Sequence, residues 1–312
     1  MRIVVFATAD FAVPSLEALV AHGHEIIRCL TQPDRPQGRG LVRLPSPVKS
    51  AARRLALAVD EPQELQDYLA SLQHAQPELG VVISYGRLIP ASSLHIPRHG
   101  MIGVHPSLLP KYRGASPVVW PILNGEPQTG VTIFRLNERL DAGEILLQRR
   151  VPIDPRQTTE QLSDRLAHVG AQLLVEAVEQ LAQGTAVFTP QDEQQATSTP
   201  KLTKEHGRID WRQSAVAIER HIRAMRPWPG AYTDWHGQPL KLWAAHVDAR
   251  LTQGVPPGQM LEVSPEGLTV ATGAGMLVIE ELQLASRRQM SVGEFLAGHR
   301  VEVGEQLGCR NA

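Results

Sequence analysis

The sequence predicts an α/β protein in two parts: a doubly wound, Rossmann-like, mostly parallel sheet, followed by a small OB-like β-barrel as the C-terminal domain. Three observations carry this expectation. Apolar runs without polar alternation recur along the first half, as in strands covered on both faces. Stretches with helical spacing lie between them and set a β-α-β rhythm. Past residue 204 short β-type runs follow one another, separated by Gly and Pro. At 312 residues the chain exceeds the usual size of one domain, so two are expected. Their boundaries fall at residues 1–188 and 205–312, with 189–204 as a linker rich in Gln, Thr, Ser and Pro.

The elements follow in order. Residues 2–6 form a buried strand. Asp10 offers an N-cap, Pro14 is tolerated in the first turn, and Leu16, Leu19 and Val20 give a helical face that Gly23 ends. Residues 25–31 are a second strand, and Ser46 with Pro47 starts another helix by cap and proline. Residues 79–84 and 101–105 are apolar strands. Residues 129–136 and 145–151 alternate apolar and polar side chains as a later strand pair. Leu162, Leu166, Val169, Leu173, Leu174 and Val178 keep a helical spacing across residues 158–183. In the second domain residues 208–226 read as a helix, and 240–243, 259–263, 268–272 and 276–284 as short strands. Trp211 and Trp228 are expected in its core.

Composition narrows the function classes. A net charge of −1 excludes a protein coated in positive charge, but leaves room for a local nucleic-acid footprint. The two cysteines, Cys29 and Cys309, lie far apart and suit a reducing cytosol better than a disulfide framework. Residues 1–7 are too short for a signal segment, and no run approaches a membrane span. The expectation is a cytoplasmic protein without membrane contact, and nothing demands more than a monomer. No metal site is expected: His95 and His99 have helical spacing, but Pro97 lies between them. No phosphate-binding or dinucleotide glycine pattern occurs.

Residues 102–114 are the most informative stretch. An apolar run stops at His105, and a loop set by Pro106 and Pro110 leads to Lys111 and Arg113. Asp141 follows, in Leu140-Asp141-Ala142-Gly143-Glu144. A histidine at the C-terminal end of a strand, with a carboxylate on a second loop, can handle a proton in the crevice of an open α/β sheet. Taken alone, His105 also reads as a satisfied core residue and Asp141 as a turn former beside Gly143. Residues 28–54 carry seven basic side chains, including Arg35, Arg39 and Arg43, against Asp34 alone. That charge reads either as a solvated loop or as a contact to a phosphate backbone. Lys201, Lys204, Arg287 and Arg288 could extend such a track.

His105-Pro106-Ser107-Leu108-Leu109-Pro110, then Arg113-Gly114-Ala115 and Leu140-Asp141-Ala142-Gly143, resemble the 10-formyltetrahydrofolate-dependent formyltransferases. The resemblance spans nearly the whole chain, through Lys201-Leu202-Thr203-Lys204-Glu205, Arg208-Ile209-Asp210-Trp211 and Arg226-Pro227-Trp228-Pro229-Gly230. It implies 10-formyltetrahydrofolate as formyl donor, His105 as the acid/base residue and Asp141 as its partner. It places Ser107, Leu108, Leu109 and Pro110 in the folate pocket, with Tyr85, Gly86, Arg87 and Leu88 as a second folate-contacting loop. The loop at residues 31–40 resembles the insertion with which formyltransferases acting on initiator methionyl-tRNA engage the acceptor end, Arg39 standing at the key arginine. With Arg35, Arg43, Lys201 and Lys204 it implies tRNA contact and, as activity, formylation of the methionyl α-amine for translation initiation.

Two departures stand out. Residues 6–11 carry Ala7 and Ala9 in a turn that differs from the family's, and Gly103 occupies the position of the family's catalytic asparagine. Glycine cannot donate a hydrogen bond to the formyl oxygen, and losing one such donor typically costs about 10²–10³ in rate. Three readings stay open: an ordered water fills the vacated volume, the chain is an impaired homologue that binds folate or tRNA, or the change was introduced to trap substrate. Transfer to an amino sugar nucleotide is the alternative reaction, which the basic loop disfavours.

Overall fold

A computed structural model describes every residue except 38–41, 249, 251–253 and 309–312, and the side chains of 35–37 and 42 lie outside the description as well. The chain divides into two compact units, one of residues 1–118, 128–152 and 163–200, the other of residues 119–127, 153–162 and 201–312.

The first unit is built on a seven-stranded sheet. Its spatial order is Ile145–Pro152, Gln128–Arg135, Met101–His105, Leu79–Ile83, Arg2–Ala7, Glu25–Leu30, Val59–Asp60. The five strands from Met101–His105 onward pair in parallel, and the two at the other end are antiparallel. Counted along the chain, the order is 3-2-1-4-5-6-7, so it reverses beside Arg2–Ala7. A ligand crevice is expected there, at the carboxyl ends of the strands.

Side chains alternate across each strand. Val4, Phe6 and Met101 therefore share one face, where Leu30, Leu65, Leu72 and Tyr85 complete a buried cluster. On the other face Gly170 of the long helix Thr159–Gln183 sits over Val104 and Val131. Gly103 and His105 thus point to the face of Met101. The helix Pro47–Arg54 begins as expected, with the Ser46 side chain accepting from the Lys49 amide. Asp10 does not cap: it lies inside a 3-10 turn, Asp10–Ala12, and the helix Val13–Ala21 has no side-chain cap. Residues 189–200 have the polar composition of a linker, yet they are held in this unit. Ser198–Thr199 pairs in parallel with Arg113–Gly114, and Thr189 exchanges two backbone hydrogen bonds with Ile145.

The second unit carries an antiparallel sheet in the order Ala231–Trp235, Gln238–Asp248, Met276–Leu284, Gly267–Ala271, Met260–Ser264, with Met290–Ser291 also paired to Met276–Leu284. The expected helix over 208–226 is shorter, Ala215–Ala224, capped by Ser214. The residues before it do other work: the Ile209 amide bonds the Tyr232 carbonyl, and Asp210 closes a turn on Gln213. Trp211 is buried as expected and donates to Thr233, whereas Trp228 is 52 % exposed and does not belong to the core. Among the described residues no helix is long and apolar enough to cross a membrane.

Candidate active site

At the carboxyl ends of the parallel strands lies a crevice of about 550 Å³, a size that accepts a cofactor-sized molecule. Tyr85, Gly86, Arg87 and Leu88 form one wall, Gly103, His105 and Pro106 the floor, and residues 114–117 and 134–141 the far side. Ser84, Tyr112, Ser116 and Asp141 all adopt the left-handed region, with φ of +45°, +63°, +64° and +51°. Non-glycine residues pay for that conformation, and such outliers collect at functional sites.

His105 ends its strand almost fully buried. Its Nε2 lies 2.9 Å from the Tyr112 carbonyl oxygen. A carbonyl only accepts, so Nε2 carries the ring hydrogen and Nδ1 is left as the acceptor. Nδ1 lies 3.6 Å from Asp141 Oδ2, longer than a hydrogen bond. A proton taken up at Nδ1 would sit beside a carboxylate. The same Oδ2 accepts from the Gly114 amide at 2.7 Å, which fixes the carboxylate against the loop carrying Tyr112. The turn itself depends on Gly143, where any Cβ would overlap the Arg135 carbonyl oxygen.

Gly103 is enclosed. Its partner across the antiparallel pair is Phe134. A Cβ on residue 103 would lie 2.6 Å from Phe134 Cε1, 2.9 Å from Cζ and 3.0 Å from Leu136 Cδ1. The volume vacated by a missing side chain is therefore filled by an aromatic ring, an arrangement in which a large residue covers a strand glycine. The space directly off the Gly103 Cα is thus taken by the ring. The ring also meets His105 edge to face, with centroids 6.4 Å apart and an interplanar angle of 87°.

The other expected residues separate into groups. Leu88 is 83 % exposed at the crevice rim. Tyr85 is buried, and its carbonyl accepts from Thr8 Oγ1 and Gln32 Nε2. The Arg87 guanidinium is tied to the carbonyls of Pro62 and Gln63. Ser107, Leu108, Leu109 and Pro110 do not line the crevice. The Ser107 hydroxyl donates to the Lys111 carbonyl, and Leu109 is clamped between Thr132 and Gln148 through its amide and carbonyl. These four residues shape the loop beneath the crevice. Arg43 is exposed on the first unit, Lys201 and Lys204 on the second. Arg39 and the side chain of Arg35 lie outside the described residues. No group of His, Cys, Asp and Glu among the described residues could hold a metal.

Sequence reasoning passed over a polar lock behind the site. Arg113, which looked like part of a basic cluster, is buried. Its guanidinium donates to Gln191 Oε1 at 2.7 and 3.0 Å and to both Glu193 oxygens at 3.0 and 3.1 Å. Arg113, and after it Arg139, holds the Glu193 carboxyl down to about 2, well below its ordinary 4.5. A carboxyl depressed by folding contributes stability above its unfolded value and loses it as pH falls through the folded one. The stability difference between the native chain and Glu193→Gln is thus expected to be full near neutrality and to shrink from about pH 4.5 toward about pH 2, read from melts across that window.

The geometry can be set beside known proteins. The family model described as formyl transferase matches residues 1–178, and that of the formyl transferase C-terminal domain matches residues 201–300. A methionyl-tRNA formyltransferase of Moorella thermoacetica is 45 % identical over 311 residues, covering 99 % of this chain and 100 % of its own. One of Roseiflexus castenholzii is also 45 % identical over 311 residues, with 99 % of both chains covered. Among solved structures, HypX from Aquifex aeolicus in complex with tetrahydrofolic acid superposes with a TM-score of 0.65 at 22 % identity, over 98 % of this chain and 50 % of that one. WlaRD, a sugar 3N-formyl transferase, gives 0.67 at 16 % identity, over 92 % of this chain and 99 % of its own. These last two likenesses concern the fold.

Proposed function

The chain belongs to the formyl transferase family through both its halves, and from that premise we propose that it moves a formyl group from 10-formyltetrahydrofolate to the α-amine of methionine on initiator tRNA. The observation that carries the reading is the His105–Asp141 pair in the strand-end crevice, in a chain 45 % identical along its length to methionyl-tRNA formyltransferases. The apolar side chains of Val82, Ile89, Phe134 and Leu136 in the crevice lining suit the folate donor. When bound, it supplies the electrophilic formyl carbon.

The chain's own residues then have distinct tasks. As the amine attacks and the bond from the formyl carbon to N10 breaks, the amine must lose a proton; His105 accepts it at Nδ1, since Nε2 already donates to Tyr112, and tetrahydrofolate leaves with a proton on N10. Asp141 stabilises the resulting imidazolium by its charge, and the Tyr112 carbonyl keeps the ring in one orientation. Ser107, Leu108, Leu109 and Pro110 hold the loop that supports this pair. Position 103 offers no donor to the formyl oxygen. Arg35, Arg39 and Arg43, with Lys201 and Lys204, take the tRNA backbone. We place the protein in the cytoplasm, where its substrate is charged, and take it as a monomer.

A second reading, an impaired homologue that binds folate and tRNA without efficient transfer, is favoured by the lack of a polar side chain at Gly103, against which Phe134 packs. One experiment separates these readings from the amino-sugar alternative. Single-turnover transfer from 10-formyltetrahydrofolate is followed with charged initiator tRNA and with an amino sugar nucleotide, alongside binding of each. Formylated methionyl-tRNA, with affinity that falls steeply as salt rises, is the expected result. Salt-dependent binding without transfer would favour the impaired homologue, and transfer only to the sugar would overturn the tRNA assignment.

A further inference from the structure

We propose that Gln191 is a positioning residue for the catalytic pair, and that the polar strap at residues 189–199 acts as the template of the site. The proposal rests on the reading of His105 and Asp141 given above, but its geometry stands on separate contacts. Gln191 is 9 % exposed. Its Nε2 donates to two carbonyls of the Asp141 turn, to Asp141 itself at 2.8 Å and to Gly143 at 2.7 Å. Its Oε1 accepts two hydrogen bonds from Arg113, whose guanidinium Glu193 holds from the other side. The amide is therefore fixed in the one orientation that presents its hydrogens to the turn.

This matters because Asp141 sits in a conformation its backbone disfavours, at φ +51°. A turn held against its preference needs partners, and Gln191 supplies two of them. The strap also reaches the other half of the pair. Thr197 Oγ1 accepts from the Tyr112 amide at 2.8 Å, and the Thr197 carbonyl accepts from the Arg113 amide. Thr199 Oγ1 bonds the carbonyls of Arg113 and Ala115. The carbonyl that sets the His105 tautomer and the carboxylate that faces Nδ1 are thus registered by the same short segment.

The test uses Gln191→Glu, which keeps the shape and the acceptor for Arg113 but removes both donors, with Gln191→Met as an uncharged second variant. A displaced catalytic group costs about 100-fold, so single-turnover kcat is expected to fall by roughly 10- to 100-fold while KM for tRNA and folate stays within a few-fold. The Gly114 amide, which donates to Asp141 Oδ2, gives a readout independent of turnover. Its proton resonance and exchange protection by NMR are expected to shift in both variants, as Asp141 moves. A purely structural role would lower the melting temperature and the active fraction with kcat per active site and the Gly114 resonance unchanged, and that result would overturn the proposal. If the native chain shows no transfer at all, the reading of its function fails, and the Gly114 signal still decides on Gln191.

Discussion

His105→Ala lowers single-turnover formyl transfer by about 10²–10⁴-fold, the range typical of a removed general base. The expectation follows from the two ends of the ring. Nε2 is committed to the Tyr112 carbonyl, so Nδ1, beside the Asp141 carboxylate, takes the amine proton. Folate binding should change little, because His105 contributes one part of a crevice lining to which Leu88, Phe134 and Leu136 also belong. Asp141→Asn keeps the shape and can still accept from the Gly114 amide, but it removes the charge beside Nδ1, and a smaller loss is expected. Since Asp141 works through His105, the double variant should be no slower than His105→Ala alone, the non-additivity of groups that act as one unit. Losses that add would show that Asp141 has a task of its own. Native-like transfer by His105→Ala would remove the pair from the mechanism.

Much of this site could be read before any coordinates. Strand-end position and loop prolines pointed to His105, while Asp141 read alone as a turn former and was marked only by the resemblance that Leu140-Asp141-Ala142-Gly143 carries; both motifs are local in sequence. The parallel strands were legible for the same reason, as unbroken apolar runs such as residues 79–83 and 101–105. The polar lock was not. Gln191 and Glu193 lie some fifty residues from the loop they organise, inside a segment whose composition imitates a linker. A buried glutamine that satisfies three groups looks, in sequence, like a solvated one. Arg113 failed in the opposite direction: beside Lys111 it reads as surface charge, while its partners lie about eighty positions away. Phe134 was invisible as a site residue because its meaning depends on register, which places it opposite Gly103. Short pairings such as Val59–Asp60 carried too little pattern to be seen.

That register makes residue 103 a test of two positions rather than one. Gly103→Asn alone should not raise the rate. Its Cβ would press to within 2.6 Å of Phe134 Cε1, and overpacking of this kind costs about 1–3 kcal/mol, so a lower melting temperature is expected with the new amide pushed out of place. Phe134→Leu removes the two ring atoms that come closest, Cε1 and Cζ, and leaves Leu136 Cδ1, the far end of a flexible side chain, as the remaining contact. Alone it is expected to destabilise, because it empties a well-packed site. Together the changes should compensate: the double variant regains stability relative to either single one, the positive coupling of residues in contact. With space for the amide, a donor can reach the formyl oxygen, and single-turnover transfer should exceed that of the native chain by about 10²–10³-fold. A faster Gly103→Asn enzyme of unchanged stability would show that the ring does not block the position. A stable double variant with no gain would show that the native site stabilises the developing charge by another route.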